Sequence, residues 1–195
     1  MKFNIVIIGA GEVGFNLAKS LSKEEHDITV IDIDHNKCQK VTNNIDARVI
    51  EGDGCSHRII EQIEMSEVDY LISLTRIDEV NLVASKICKE RGAKKVICRL
   101  RNTEYGKKTI IDPAQFGINH IVFPEKAARD EITKIITQPS SVDIETFKDE
   151  KITLIGILLD ISSPLIGRTM ENVEISNPYI PHKLSILCRG DSTFI

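Results

Sequence analysis

An α/β fold built on a doubly wound parallel sheet is what this 195-residue chain predicts, and three observations carry that reading. Apolar runs without polar alternation recur through the first two thirds, each followed by a segment with apolar residues every three or four positions. Such runs belong to strands buried on both faces by crossover helices. The first run, Ile5-Val6-Ile7-Ile8, breaks into Gly9-Ala10-Gly11-Glu12-Val13-Gly14, and an acid, Asp32, closes the second. In the last third the pattern changes to alternation and a hairpin, predicting an incomplete small α+β unit after the sheet.

The elements follow in order. Residues 2–8 form the first strand, and 12–22 a helix with Val13, Leu17, Ala18 and Leu21 on one face. The second strand is 28–32; Asp34 is placed to cap a helix over 35–44. Residues 47–51 make a short third strand, Gly52-Asp53-Gly54 a turn, and Ser56 begins a helix with Ile59, Ile60 and Ile63 at helical spacing. The fourth strand is 70–74, followed by a helix over 79–91 that Gly92 stops. Residues 95–100 form the fifth strand and 105–111 a short helix ended by Asp112-Pro113. A sixth strand, 120–123, leads through Pro124 into a helix over 125–137 with the stripe Ala128, Ile132, Ile135 and Ile136. Six strands with the glycine turn in the first crossover amount to a Rossmann fold.

A polar linker, residues 138–141, separates this first domain (1–137) from the remainder, 142–195. There Val142, Ile144, Thr146 and Phe147 come close to strand alternation, 148–151 make a turn, and 152–159 return as a strand. Ser163-Pro164-Leu165-Ile166-Gly167-Arg168-Thr169 precedes a last strand-like run, 184–188. A remainder of roughly 55 residues is small for an independent core. It stops in the middle of a strand-like run, which reads as a piece of something longer.

Composition excludes several classes. Hydrophobic residues make up 42% and charged residues 28%, as in ordinary globular chains. The net charge of -4, from 25 basic and 29 acidic residues, argues against nucleic-acid binding, which rewards clustered basic charge. No apolar run approaches the ~20 residues that cross a bilayer. The chain starts directly on a strand without room for a signal peptide, so a cytoplasmic protein is expected. Five cysteines form no C-x-x-C pair and five histidines stand singly, so no metal set is expected. The thiols read as free; Cys55, in the loop after the third strand, is the one to watch.

In doubly wound sheets ligands bind outside the carboxyl ends of the strands. Gly9 permits the tight turn there, Gly11 lets backbone approach a pyrophosphate, and Gly14 lets the first helix pack closely. Phosphate would sit at the positive end of that helix. Asp32 suits the ribose hydroxyls of an adenine nucleotide, and its charge opposes a 2′-phosphate, disfavouring NADP. Gly52-Asp53-Gly54 is either a plain turn or the contact to the adenine edge. Thr75 and Arg76 follow the fourth strand. Arg99 and Arg101 share one face of the fifth and need partners, either a phosphate or carboxylates such as Asp78 and Glu79. Catalytic pieces are missing: no acid–base pair stands ready beside a nicotinamide, and no hydrolase pattern is present.

These residues resemble those of the TrkA-type RCK (KTN) family, nucleotide-binding subunits of bacterial Trk potassium uptake systems. The matching segments are Ile8–Gly14, 27–32, Glu51-Gly52-Asp53-Gly54, 75–81, Cys98-Arg99-Leu100-Arg101 and Phe123-Pro124-Glu125. Pro164-Leu165-Ile166-Gly167 looks like the signature of the TrkA-C-type (RCK-C) subdomain, here partial. The resemblance implies binding of NAD(H), or of ATP/ADP at the same site. It implies Gly9, Ala10, Gly11, Glu12 and Val13 around the phosphates with Gly14 closing the binding turn, Asp32 on the ribose, Asp53 and Gly54 by the adenine, and Thr75 and Arg99 completing the pocket. It also implies a homodimer assembling into a ring, with the helix over 125–137 crossing between subunits. The partner would be a multi-span potassium transporter subunit (TrkH/TrkG-like), holding the chain on the inner face of the membrane without insertion. The runner-up is a small NAD-dependent oxidoreductase or a fragment of one. A third reading keeps the nucleotide sensor and exchanges the partner for an anion or sodium transporter.

Overall fold

The apolar strand sequences assemble into one sheet in the computed structural model as the sequence predicts, but the first helix turns Phe15 and Ala18 inward and leaves Val13 of the expected stripe 51% exposed. The structure describes residues 2–106, 112–137, 141–147, 152–176, 186–189 and 192–194. Six strands, β1 (Asn4–Ile8), β2 (Asp27–Asp32), β3 (Arg48–Glu51), β4 (Tyr70–Ser73), β5 (Lys95–Arg99) and β6 (His120–Val122), form one sheet in the order β3-β2-β1-β4-β5-β6. All five pairings are parallel. The order reverses between β1 and β4, the switch point where a crevice opens above the strand ends.

Successive residues of each strand feed opposite layers. Val6 and Ile8 join Ile31, Leu71, Val96 and Cys98 on one face; Ile5 and Ile7 join Ile28, Val30, Ile72 and Leu74 on the other. Val6, Ile7, Val30, Leu71 and Val96 are fully enclosed, each such aliphatic side chain contributing roughly 1.5–3 kcal/mol by burial.

The helices are α1 (Glu12–Lys23), α2 (His35–Asn44), α3 (His57–Ile60), α4 (Asp78–Glu90) and α5 (Pro124–Thr137). Asp34 caps α2, its carboxylate accepting from the Asn36 and Lys37 N–H groups. Gly92, at φ +111, ends α4 as expected. Two expectations need correction. The helix from Ser56 is a single turn without a side-chain cap, followed by a 3-10 turn at Met65–Glu67; Ile60, Ile63 and Met65 still reach the core. The helix expected at 105–111 begins as a 3-10 turn, Thr103–Gly106, and residues 107–111 lie outside the described set. A further 3-10 turn, Pro113–Phe116, is capped by Asp112. The α5 stripe is unburied: Ile132, Ile135 and Ile136 are exposed at 58%, 62% and 71%.

By contacts the chain divides into two units, residues 1–132 and 133–195, so α5 begins in one and ends in the other. Unit 2 holds the expected hairpin, β7 (Ser141–Phe147) antiparallel to β8 (Ile152–Ile157), then α6 (Met170–Ser176) and the short antiparallel pair β9 (Leu187–Arg189) and β10 (Ser192–Phe194). Part of the predicted 184–188 run lies outside the described residues.

Candidate functional site

The turn between β1 and α1 is built by its glycines. Gly9 adopts φ +108, and a Cβ there would lie 2.9 Å from the Thr75 nitrogen. Its own N–H donates to the Ile31 carbonyl at 2.8 Å. Gly14 lets α1 lie directly on the turn, since a Cβ would fall 1.9 Å from the Gly9 carbonyl oxygen. Gly11 differs: a Cβ there would meet nothing within 4 Å. It is the N-cap of α1 and offers no capping side chain, so the first-turn N–H groups of the helix are left without a side-chain cap. Glu12 and Val13, next to it, are exposed.

Asp32, only 8% exposed, ties three loops together. Its Oδ2 accepts from the Ala10 N–H at 2.6 Å and its Oδ1 from the Asp34 N–H at 2.9 Å. Its carbonyl accepts from the Gly52 N–H at 2.9 Å. The Lys37 ammonium stands 3.6 Å from Oδ1. Beyond β3, the exposed Asp53 carboxylate accepts from the Cys55 N–H at 2.9 Å, and Gly54 packs on Ile8, where a Cβ would collide with its side chain at 2.2 Å.

Thr75, after β4, is held by Asn81. The Asn81 side-chain oxygen accepts from the Thr75 N–H at 2.9 Å and from its hydroxyl at 2.7 Å. The amide donates to the carbonyls of Thr75 at 3.0 Å and Arg99 at 2.9 Å. Asn81 is fully buried and staples the ends of β4 and β5. The glycine turn, Asp32, Asp53, Gly54, Thr75 and Arg99 therefore share the carboxyl edge of the sheet.

The two arginines find a different partner from the carboxylates considered for them. Asp78 accepts from the backbone N–H groups of Arg101 and Asn102 at 2.8–3.0 Å, and Glu79 accepts from the Tyr105 hydroxyl at 2.8 Å. The guanidinium groups instead meet at Glu125, at the start of α5: Arg99 Nη2 lies 3.2 Å and Arg101 Nε 3.1 Å from the same Oε1. The Glu125 carboxyl is held below its ordinary range by its own backbone N–H and then by Arg99. Arg99 Nε is buried and, among the described residues, has no hydrogen-bond partner.

Cys55 is no activated nucleophile, because burial and then Asp53 raise its thiol, which donates to the Val80 carbonyl at 3.3 Å. A shallow cleft lined by His35, Cys38, Gln39 and Glu51 lies along α2 and β3 and takes in none of the turn residues.

Residues 5–124 match the model of the TrkA-N domain. The chain belongs to the TrkA-N domain family. Among curated relatives, this TrkA-N chain is 33% identical over 97% of its length to Trk system potassium uptake protein trkA homolog 1 of Methanosarcina mazei, covering 47% of that protein. It is 28% identical over 95% to the Trk system potassium uptake protein TrkA of Haemophilus influenzae, covering 41% of it. The chain thus spans less than half the length of these relatives. Among solved structures, the GsuK channel bound to NAD aligns at a TM-score of 0.65 and 14% identity, over 90% of this chain and 31% of that one. The TrkA-N domain of the inner membrane protein ybaL from Escherichia coli aligns at 0.61 and 14%, over 70% of this chain and 98% of that one. GsuK bound to ADP aligns at 0.61 and 13%, over 72% and 36%. At such identities these likenesses establish the fold alone.

Sequence reasoning gave no role to two residues that hold this edge of the sheet together, Asn81 and Glu125. Asn81 carried a visible signal, a polar residue on the inward side of α4. Glu125 was marked by the matching segment Phe123-Pro124-Glu125, but nothing there named the arginines as its partners.

Proposed function

We propose that this TrkA-N chain is the nucleotide-binding regulatory part of a potassium uptake system, taking NAD(H) or ATP/ADP at the carboxyl edge of its sheet. The observation that carries the reading is the empty space over Gly11 in front of the uncapped N-terminus of α1, where backbone N–H groups and helix dipole favour a phosphate. The orphaned Arg99 Nε supports it as a second anion-seeking group. In this reading Gly9, Ala10, Gly11, Glu12, Val13 and Gly14 surround the phosphates and Asp32 meets the ribose. Asp53 and Gly54 border the adenine, and Thr75 and Arg99 close the pocket. The names of the curated relatives favour a regulatory role over an oxidoreductase.

The partner is a multi-span potassium transporter subunit of the TrkH/TrkG type, met from the cytoplasmic side. The exposed isoleucines of α5 supply a dimer face, and dimers assemble into a ring. Residues 1–137 act as the nucleotide-binding domain, 138–141 as linker, and 142–195 as the start of a C-terminal subdomain. A nucleotide shifts the assembly only through different affinities for its conformations, so ligands of different charge should leave different populations.

Titration calorimetry with NADH, NAD, ATP, ADP and NADPH tests the site: binding of the nucleotides without a 2′-phosphate and weak NADPH are expected. Binding by none of them overturns the reading. Potassium flux through the cognate transporter, unchanged by every nucleotide that binds, would leave a nucleotide site without the regulatory role.

A further inference from the structure

α1 and α2 both start beside Asp32, whose two carboxylate oxygens accept from the Ala10 and Asp34 N–H groups, and they start differently. Gly11 gives α1 no side-chain cap. Asp34 caps α2, its Oδ1 accepting from the Asn36 N–H at 2.9 Å and the Lys37 N–H at 3.4 Å. Free N–H groups at a helix start attract phosphate, and a lysine in the first turn adds to the attraction. At α2 the chain's own carboxylates already hold both. The Lys37 ammonium stands 3.6 Å from Asp32 Oδ1 and 3.6 Å from Asp34 Oδ2. His35, the other basic side chain of that turn, lies 2.7 Å from a Glu51 carboxylate oxygen through Nδ1 and 2.8 Å from the Gln39 amide through Nε2. Glu51 is the register partner of Asp32 on the neighbouring strand, so its charge stands at the same level of the sheet edge.

A ribose bonded to Asp32 has its hydroxyls close to residues 33–37, because the Asp34 N–H already lies 2.9 Å from the same carboxylate. A plain hydroxyl there is neutral. A 2′-phosphate brings about two negative charges at neutral pH, against a turn that holds Asp32, Asp34 and Glu51 and whose Lys37 is already shared. We propose that Asp34 is a second specificity-determining residue: its carboxylate engages Lys37 and the start of α2, and so excludes adenine nucleotides that carry a 2′-phosphate. The proposal rests on the nucleotide reading above and deepens it. Exclusion does not end with the acid that closes β2, and Lys37 is the cation that a 2′-phosphate would meet once Asp34 gives it up.

The test is calorimetry of the full chain with NADH, and with NADPH displacing NADH, comparing wild type with Asp34→Ser. Serine caps a helix about as well as aspartate, so the variant removes the charge and keeps the turn. The ratio of the NADPH to the NADH dissociation constant should fall about tenfold, near the solvent end of the Coulomb range because Asp34 is 41% exposed. NADH itself should change less than about twofold, as a surface pair predicts. In Asp34→Ser/Lys37→Gln the gain for NADPH should vanish. An unchanged ratio in Asp34→Ser, or a gain that survives the loss of Lys37, overturns the proposal and leaves the nucleotide site standing. NADH binding to none of these proteins overturns both. If serine lowers the urea midpoint, Asp34→Asn, an equally good cap, repeats the comparison, and an unchanged ratio there overturns the proposal too.

Discussion

Replacing Gly14 by alanine would place a methyl carbon 1.9 Å from the carbonyl oxygen of Gly9 and 3.0 Å from its carbonyl carbon. Both are backbone atoms, so no side chain can rotate aside. Reaching even 3.0 Å from the oxygen requires α1 and the turn to separate by at least 1.1 Å. Neither is free to move. Gly9 is bonded to Ile31 and lies against the Leu74–Thr75 backbone, and α1 buries Phe15 and Ala18. Forcing extra atoms into a packed interior costs about 1–3 kcal/mol, and a backbone-to-backbone collision belongs at the upper end, about 3 kcal/mol. At roughly 3–4 °C per kcal/mol for a unit of this size, Tm should fall by about 10 °C. Gly11→Ala is the control. Its Cβ meets nothing within 4 Å and its φ of −63 suits any residue, so stability should change by less than about 1 kcal/mol, the penalty for alanine at an N-cap. Its methyl does stand where a phosphate would approach, so nucleotide affinity should fall at least about tenfold, or about 1.4 kcal/mol. Urea unfolding followed by circular dichroism reads the first effect and calorimetry with ADP and NADH the second. Gly14→Ala within about 0.5 kcal/mol of wild type would refute the packing argument. Gly11→Ala binding like wild type would refute the phosphate cradle.

Three further outcomes are expected. Asn81→Ala leaves the Thr75 N–H and the carbonyls of Thr75 and Arg99 without their buried partner, and should cost about 3 kcal/mol in urea unfolding. Asp32→Asn removes the charge that opposes a 2′-phosphate while keeping one acceptor oxygen for the glycine turn. Calorimetry should show the preference for NADH over NADPH shrinking about tenfold or more, and an unaltered ratio would remove Asp32 from the ribose. Burial pushes the Cys88 thiol up to about 12 and Cys98 up to about 11 from an ordinary 9.0. Above pH 9 the unfolded chain therefore releases these protons first, so the stability from each thiol is full below pH 9. It declines as pH rises towards 11 for Cys98 and 12 for Cys88. The slope is about 1.4 kcal/mol per pH unit for each thiol. Cys88→Ala should lose stability less steeply than wild type between pH 9.5 and 11, a difference in which lysine and tyrosine ionisation cancels.

What the sequence made legible was local or periodic. Ile5–Ile8 and Ile28–Ile31 read as buried strands because both faces of each are enclosed, and the Asp34 cap followed from a two-residue reach. The glycine turn was legible because Gly9 and Gly14 answer separate steric demands within six positions, whereas Gly11 answers none within the fold. What was missed lies in contacts between distant segments. Arg99 and Glu125 are 26 residues apart and Asn81 and Arg99 18 apart. Nothing in local pattern distinguishes Glu125 from Asp78 or Glu79 as the partner of an arginine pair. The tertiary fold decides it, sending Asp78 to backbone N–H groups at the end of β5. The helix after Ser56 failed for the converse reason: its isoleucines have helical spacing, but a single turn and a 3-10 turn suffice to bury them.

The two halves of the strand-end surface differ in how completely their polar groups are satisfied, and this difference bears on how such a domain could distinguish its ligands. Over β1, β2 and β3 the oxygens of Asp32 are already engaged: Asp32 holds the turn through Ala10, its own loop through Asp34, and β3 through Gly52. A ligand there meets a surface that is already formed, which lowers the ordering cost of binding but gives similar recognition to every adenosine-bearing molecule. Over β5 and the start of α5 two guanidiniums share one carboxylate oxygen, and among the described residues a buried nitrogen of Arg99 has no partner. Only a region with an alternative, nearly isoenergetic arrangement can convert a difference between phosphates into a difference in structure. In the proposed reading, discrimination by charge belongs to the β5–α5 half, and shared adenosine affinity to the β1–β3 half. Substitutions at Asp32 should therefore shift ATP, ADP and NADH together, with NADPH alone departing from them.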